Sequence, residues 1–181
     1  MKKTLVALFL GSSLFGLTQE TNLTDNPAIN RKHEIRLDAV EALVVSTVEL
    51  NYEYVISKYS GVGAAVSVGF DSDDLENYHK FAFTPYYRQY FFNKKDYGAR
   101  GLFAEGLLQL ATGEDTSVND IFPSTAGEWT NFGIGFGLGQ KWVSKNGFVL
   151  ELSLGGGRYL GADENGPEGF FRGGVLVGYR F

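Results

Sequence analysis

The feature that most constrains the fold of this chain is an alternation of residue types with a period of two. In the segment 129–142, one set of alternate positions holds large apolar residues: Phe132, Ile134, Phe136, Leu138 and Trp142. The positions between them hold mostly glycine, together with Asn131 and Lys141. Successive side chains of a β-strand point to opposite faces, so the pattern predicts a strand with one apolar face and one small or polar face.

Eight segments with this period follow one another, separated by turn signals. They cover approximately residues 34–44, 47–57, 61–70, 80–92, 100–110, 129–142, 148–158 and 170–181. A soluble lipocalin-type barrel or a sandwich would also alternate, with its apolar face inward. The second face carries glycine, alanine, serine and single charges, which fits the narrow interior of a barrel of about eight strands. The sequence therefore predicts an all-β fold, an eight-stranded antiparallel up-and-down transmembrane β-barrel over residues 33–181.

The predicted inward face collects charges of both signs. By parity along the strands it holds five basic and five acidic residues: Arg36, Arg88, Lys141, Arg172 and Arg180, with Asp38, Glu49, Glu53, Glu105 and Glu151. Side chains about fill the interior of an eight-stranded barrel, so we expect a plug of mutually neutralising ion pairs. A path for protons or ions along these charges is the alternative.

The chain ends in the alternating stretch GFFRGGVLVGYRF, residues 169–181. Its apolar face would contact lipid, while Arg172 and Arg180 would point into the barrel. A shift of one residue would move both arginines into lipid, at a cost of up to about 2–4 kcal/mol each near the bilayer midplane, so the register is strongly set. Aromatic residues concentrate at membrane interfaces, and the predicted aromatic girdle consists of Tyr87, Phe91, Trp129, Trp142 and Tyr179.

The connections between the predicted strands alternate between short and long. Three long connections, residues 71–79, 111–128 and 161–168, hold eleven acidic residues and no lysine or arginine. Outer-membrane barrels have short periplasmic turns and long outer loops, so these connections are predicted to face outward, with both chain ends on the periplasmic side.

The acidic loops also raise the question of a metal site. Carboxylate oxygens suit hard divalent cations such as calcium, and the candidate ligands are Asp71, Asp73, Asp74, Asp163 and Glu164. The spacing of a complete calcium-binding loop does not occur, so ordinary solvated loops are the favoured interpretation.

The first 18 residues have the three parts of a secretory signal. Lys2 and Lys3 precede a mostly apolar stretch over residues 5–17, and small residues precede a cleavage point before Gln19. The alternative, a membrane anchor, would need about 20 apolar residues. We therefore expect a cleavable signal peptide over residues 1–18, a polar linker over 19–32 and the barrel domain over 33–181.

Composition removes several classes of function. The chain has no cysteine, which excludes a disulfide scaffold and a thiolate metal site. Without Lys2 and Lys3 it has 14 basic and 21 acidic residues, a net charge of −7 that argues against nucleic acid as a partner. Neither histidine, His33 or His79, adjoins a serine in sequence. We therefore predict neither an enzyme nor a bound cofactor.

The chain also resembles a known class of proteins. Its signal peptide, eight alternating segments and terminal YRF are similar to small outer-membrane β-barrel proteins of the OmpA/OmpX-like type. The stretch VELNYEYVISKYSGVGAAVSVGF, followed by FTPYYRQYFF, is similar to an uncharacterised barrel family of that class. The resemblance implies that Tyr179 and Phe181 form a signal recognised by the barrel-assembly machinery. It also implies that Glu53 and Arg88 pair inside the barrel.

These features predict a monomeric protein of the cell outer membrane, in contact with outer-membrane lipids and lipopolysaccharide. Its predicted role is structural, or is an interaction at the cell surface through the acidic loops. The alternatives are a narrow channel or small-solute transporter, a lipid-modifying enzyme of the outer membrane, and a soluble lipocalin-like binder.

Overall fold

Eight β-strands form in sequence order, and each pairs antiparallel with its neighbours in one closed barrel. The computed structural model describes residues 31–39, 47–69, 79–91, 98–114, 128–161 and 166–181. The strands are β1 (His33–Asp38), β2 (Thr47–Ser57), β3 (Ser60–Gly69), β4 (His79–Phe91), β5 (Gly101–Glu114), β6 (Glu128–Val143), β7 (Phe148–Leu160) and β8 (Gly169–Arg180). The predicted all-β, eight-stranded antiparallel barrel is therefore confirmed.

The strand bounds depart from the prediction at the end of β5. The sequence predicts that this strand ends near residue 110, whereas it continues to Glu114 and pairs with the start of β6. Ala111 lies opposite Asn131, and Gly113 lies opposite Trp129. Small residues at these positions are typical of a turn. They fit a strand here because the Trp129 ring of β6 fills the space beside Gly113.

Several predictions concern residues outside the described part of the chain. The predicted signal peptide and most of the linker lie within residues 1–30. The predicted first strand reaches residue 44, and its described part ends as a strand at Asp38. No helix within the described ranges is long and apolar enough to cross a membrane.

Side chains are distributed with the charges inside and the large apolar groups outside. The buried residues include eleven charged side chains, of which none is more than 5% exposed. The exposed ones include many large apolar side chains, with Phe136 at 72%, Phe171 at 70% and Leu154 at 66%. A barrel that is stable in water normally shows the opposite arrangement, because burial of apolar surface is the main force that stabilises it.

The barrel closes where β1 meets β8. Five residues of β1 pair with β8, from Glu34 opposite Arg180 to Asp38 opposite Leu176. Beyond this ladder, the amide of Phe181 donates to the His33 carbonyl at 2.8 Å, and the amide of His33 donates to the Phe181 carbonyl at 3.2 Å. The start of β1 and the end of β8 therefore lie together at the rim that carries the short turns.

The turn between β6 and β7 shows how local sequence fixes this rim. The Ser144 amide donates to the carbonyl of Phe148, and the Ser144 hydroxyl accepts a hydrogen bond from the Phe148 amide at 2.9 Å. Gly147 has φ +97°, a conformation that side chains disfavour. The sequence SKNG, residues 144–147, thus supplies both the hydrogen bonds and the flexible residue that a tight turn needs.

Candidate functional site

The ten residues predicted to face inward all lie buried inside the barrel. None is more than 5% exposed: Arg36, Asp38, Glu49, Glu53, Arg88, Glu105, Lys141, Glu151, Arg172 and Arg180. They come from seven of the eight strands, because alternate positions of every strand point inward.

Glu53 is the centre of this network. Its Oε2 accepts hydrogen bonds from Arg36 Nη2 at 2.8 Å, from Arg88 Nη1 at 3.0 Å and from Lys141 Nζ at 2.8 Å. Its other oxygen accepts from the Tyr90 hydroxyl at 2.6 Å. The pair between Glu53 and Arg88 that the sequence resemblance implies is present, as one of three contacts from cations to a single carboxylate.

Glu151 is a second carboxylate shared between cations. Arg88 Nη1 donates to its Oε2 at 2.8 Å, and Arg36 Nη1 donates to the same oxygen. The Arg88 guanidinium also lies 4.3 Å from the centre of the Phe103 ring. Arg88 thus contacts Glu151, the carboxylates of Glu53 and Glu105, and an aromatic face at once, which compensates for the removal of its charge from water.

The network continues toward the rim with the long loops through Arg172. Arg88 Nε donates to Glu105 at 2.8 Å, and Arg172 Nη1 donates to the other oxygen of Glu105 at 2.7 Å. Arg172 Nη2 also donates to Glu49 at 3.0 Å and to the Asn51 side-chain oxygen at 2.7 Å. A continuous set of ion pairs therefore crosses the barrel between its opposite walls.

Glu34 belongs to this network although the sequence reasoning did not select it. It is fully buried, it accepts a hydrogen bond from Lys141 Nζ at 2.9 Å, and it pairs with Arg180. Its position in β1 has the same parity as Arg36 and Asp38, so the signal was present in the sequence. With Glu34 included, the described interior holds six carboxylates and five cations, not the balanced set of five and five.

Arg180 closes the interior at the rim with the short turns. Its Nη1 and Nη2 each donate at 2.7 Å to a carbonyl of the connection between β4 and β5, those of Gly98 and Ala99. Together with the pair to Glu34, these bonds fix the guanidinium across the end of the lumen. The Arg180 side chain therefore obstructs the end of the lumen where β1 begins and β8 ends.

Trp129 does not lie in the aromatic girdle, and that prediction is wrong. Its ring is 1% exposed and packs inside the barrel at 6.2 Å from the ring of Tyr159. The Tyr159 hydroxyl in turn donates to Gln109 at 2.7 Å. Trp129 has the parity of the inward residue Asn131, not that of the outward Trp142, so strict alternation along β6 would have placed it correctly.

The other girdle residues lie on the outer face. Tyr87 is 49% exposed, Phe91 41% and Tyr179 47%, while Trp142 is partly exposed. Phe181, the second residue of the predicted assembly signal, is 52% exposed, and its ring stacks on His33 at 5.9 Å. The outer face is the side on which the predicted girdle requires these aromatic residues.

One pair of residues has the composition of a catalytic site. Ser67 Oγ and His79 Nε2 are hydrogen-bonded at 3.0 Å near the rim with the long loops. Glu49 lies opposite Ser67 in the ladder, but its carboxylate binds Arg172. Sequence reasoning found no serine beside a histidine because the two residues meet through the register of β3 and β4 and not through adjacency in sequence.

The candidate cation ligands Asp71, Asp73, Asp74, Asp163 and Glu164 lie outside the described residues. Within the described ranges, no group of three or more histidine, aspartate or glutamate residues could hold a metal ion. Comparison of the chain with protein-family models, with curated proteins and with solved structures finds no match.

Proposed function

We propose that this protein is an integral β-barrel of the cell outer membrane, with a structural or surface-interaction role carried by its acidic extracellular loops. The observation that supports this proposal is the reversal of the usual distribution of side chains. Charged residues fill the interior, and the outer wall carries exposed apolar residues on every strand, such as Ile35, Leu50, Val66 and Leu110.

The energetics of such a wall favour a hydrocarbon environment. A fully exposed leucine or phenylalanine side chain gains about 1.5–3 kcal/mol when it is removed from water, and each side chain of this wall would gain the share that corresponds to its exposed fraction. A closed barrel also pairs its strand backbone groups without leaving an edge, which hydrocarbon requires. The secretory signal predicted over residues 1–18 supports export, and export of a closed barrel with an apolar wall supports an outer-membrane location.

The filled interior supports a role outside the lumen. Arg180 is bound to the carbonyls of Gly98 and Ala99 at one end, and the set of ion pairs around Glu53 occupies the middle. A transported solute would have to break these buried pairs. This favours the loops and the outer wall as the surfaces that interact with other molecules. The proposed partners are outer-membrane lipids and lipopolysaccharide, and the proposed form is a monomer.

The location is tested by fractionation and by gel migration. The full chain, expressed with its signal, should sediment with the outer-membrane fraction and resist extraction by sodium carbonate. The unboiled protein should migrate differently from the boiled protein, because closed barrels resist detergent. A soluble protein without a migration shift would overturn the proposal, and the apolar outer wall would then have to be covered by another protein.

The orientation of the loops is tested separately in intact cells. A short protease site is inserted within residues 119–121, in a long acidic connection, and in a matched variant between Lys145 and Asn146, in a tight turn. Externally added protease should cut the first variant and leave the second intact until the cells are lysed. Cleavage of the second variant alone in intact cells would reverse the proposed orientation, and with it the surface role.

A further inference from the structure

The outer wall carries a row of paired residues that alternates between aromatic rings and glycine. Across the ladders from β4 to β8, Tyr87 lies opposite Gly106, Gly106 opposite Phe136, Phe136 opposite Gly156, and Gly156 opposite Phe171. Tyr87, Phe136 and Phe171 point outward and are 49%, 72% and 70% exposed. The two glycines have no side chain, so the row consists of three ridges separated by two gaps.

These gaps are grooves of substantial size. The groove over Gly156, between Phe136 and Phe171, has a volume of about 710 Å³ and is lined almost entirely by carbon. The groove over Gly106 is lined by Tyr87, Leu108 and Ile134 and has a volume of about 340 Å³. Neighbouring strands lie about 4.8 Å apart, so ridges on alternate strands stand roughly 10 Å apart. That spacing admits one extended hydrocarbon chain between each pair of ridges.

A single cation lines the larger groove. Arg158 lies on the outer face of β7, opposite Ile134 of β6 and near the rim with the long loops. Its side chain is exposed, and it makes no hydrogen bond or ion pair with any residue that the structure describes. An arginine on an apolar wall needs a counter-charge, and its planar group binds phosphate oxygens in a bidentate manner.

We propose that this face binds one phosphorylated diacyl lipid, with one hydrocarbon chain in each of the two grooves and the phosphate on Arg158. The inference rests on the proposed membrane location and adds a specific lipid site to it. The grooves supply shape and apolar contact, while Arg158 supplies charge complementarity. A second copy of the chain would need an outward ridge to enter the grooves and an anionic group to meet Arg158, so a lipid fits the face better.

The test uses the purified full-length protein in mild detergent, after its heat-dependent gel migration has shown that it is folded. It is mixed with equal amounts of phosphatidylglycerol and phosphatidylcholine that have identical chains, and bound lipid is counted by native mass spectrometry. The wild type should retain one lipid, with about fivefold preference for the anionic one. Inorganic phosphate at millimolar concentration should not displace it, since the chains contribute most of the binding.

Two variants separate the parts of the site. Arg158→Gln should remove the preference but keep lipid binding. Gly106→Leu should lower the retention of both lipids, and it should fold because a Cβ at Gly106 meets no atom within 4 Å. The matched control is Val66→Phe, which enlarges an outward side chain on β3 that lines neither groove, and it should behave as the wild type.

Several results would overturn the inference while leaving the proposed membrane location intact. The first is equal binding of both lipids by the folded wild type. The second is a preference that survives Arg158→Gln, or retention that Gly106→Leu does not change. The third is a wild-type dimer that Gly106→Leu converts to a monomer, which would assign the face to a second copy of the chain. Displacement by free phosphate would also count against it, because it would reduce the site to an anion site.

Discussion

Glu53 of β2 and Arg88 of β4 are bound to each other across an intervening strand, with Arg88 Nη1 3.0 Å from Glu53 Oε2. Gly61 of β3 lies between them and pairs with Arg88 in the ladder. A Cβ at Gly61 would overlap the Glu53 carboxylate. The ion pair therefore depends on a glycine as well as on the two charges.

Neutralising the central carboxylate should destabilise the barrel strongly. Glu53→Gln removes the shared charge partner of Arg36, Arg88 and Lys141 and leaves these cations buried. We expect a loss of about 3–5 kcal/mol in the free energy of unfolding, measured by urea titration in lipid vesicles. The control Glu128→Gln alters an exposed carboxylate and should change stability by less than about 0.5 kcal/mol. Equal stability of the two variants would show that Glu53 is not the centre of the network.

Replacement of glycine by leucine should lower the yield of folded protein on the inner face of the wall and leave it unchanged on the outer face. Gly61→Leu places a side chain into the Glu53 carboxylate and should prevent folding or lower its yield severely. Gly106→Leu points into open space on the outer face and should fold normally. The fraction of each variant that shows heat-dependent gel migration measures this difference. If both variants folded equally well, the interior would be less filled than the contacts indicate.

The barrel should not conduct ions. Glu53 and Arg88 occupy the middle of the lumen, and Arg180 is fixed across the rim with the short turns. Planar bilayers that contain the wild type should therefore show no discrete current steps. Arg180→Ala removes the bonds to Gly98 and Ala99 and the pair with Glu34, and it serves as the comparison because it opens this rim while leaving the pair between Glu53 and Arg88 in place. Regular conductance by the wild type would revive the channel alternative.

The pair of Ser67 and His79 is not expected to be catalytic. Ser67 is only 4% exposed, and the nearby carboxylate of Glu49 is bound to Arg172. Cells that express the wild type and the Ser67→Ala variant should therefore show the same lipid composition by mass spectrometry. A change in lipid acylation caused by the wild type and abolished by Ser67→Ala would make the protein an enzyme and reverse the prediction.

The terminal residue should matter for closure of the barrel. Phe181 exchanges two backbone hydrogen bonds with His33 and stacks on its ring. Deletion of Phe181 should slow folding in vesicles and lower the urea midpoint, whereas Phe181→Tyr keeps the backbone bonds and the ring and should retain most of both. A deletion variant that folds in vesicles like the wild type, but assembles poorly in cells, would restrict the role of Phe181 to recognition by the assembly machinery.

Much of this architecture could be predicted because a period of two leaves little freedom. Parity alone assigns Arg36, Arg88 and Lys141 to the interior, and a slip of one residue would place such charges against the apolar wall. The same rule would have included Glu34 and placed Trp129 inside, had it been applied up to the strand ends. At Trp129, the preference of tryptophan for membrane interfaces was given more weight than parity. At the end of β5, the turn-like composition was given more weight than the alternation.

Other features could not be read from the sequence because they depend on the registers of neighbouring strands. The contact between Ser67 and His79 and the row from Tyr87 to Phe171 exist because separate ladders bring these residues to one level. Alternation along a strand says which face a residue occupies. It does not say how far each strand is shifted along its neighbour. The shifts add up from ladder to ladder, so alternation cannot predict which residues of distant strands lie at the same level.

The placement of Trp129 has a consequence for spectroscopy. The chain has two tryptophans, and both lie in β6, one enclosed by the wall and the other on its outer surface. Each single-tryptophan variant, with phenylalanine at the other position, would report on one side of the wall without an attached label. Brominated lipids should quench the fluorescence of Trp142. The emission wavelength of Trp129 should report whether water enters the barrel as it unfolds.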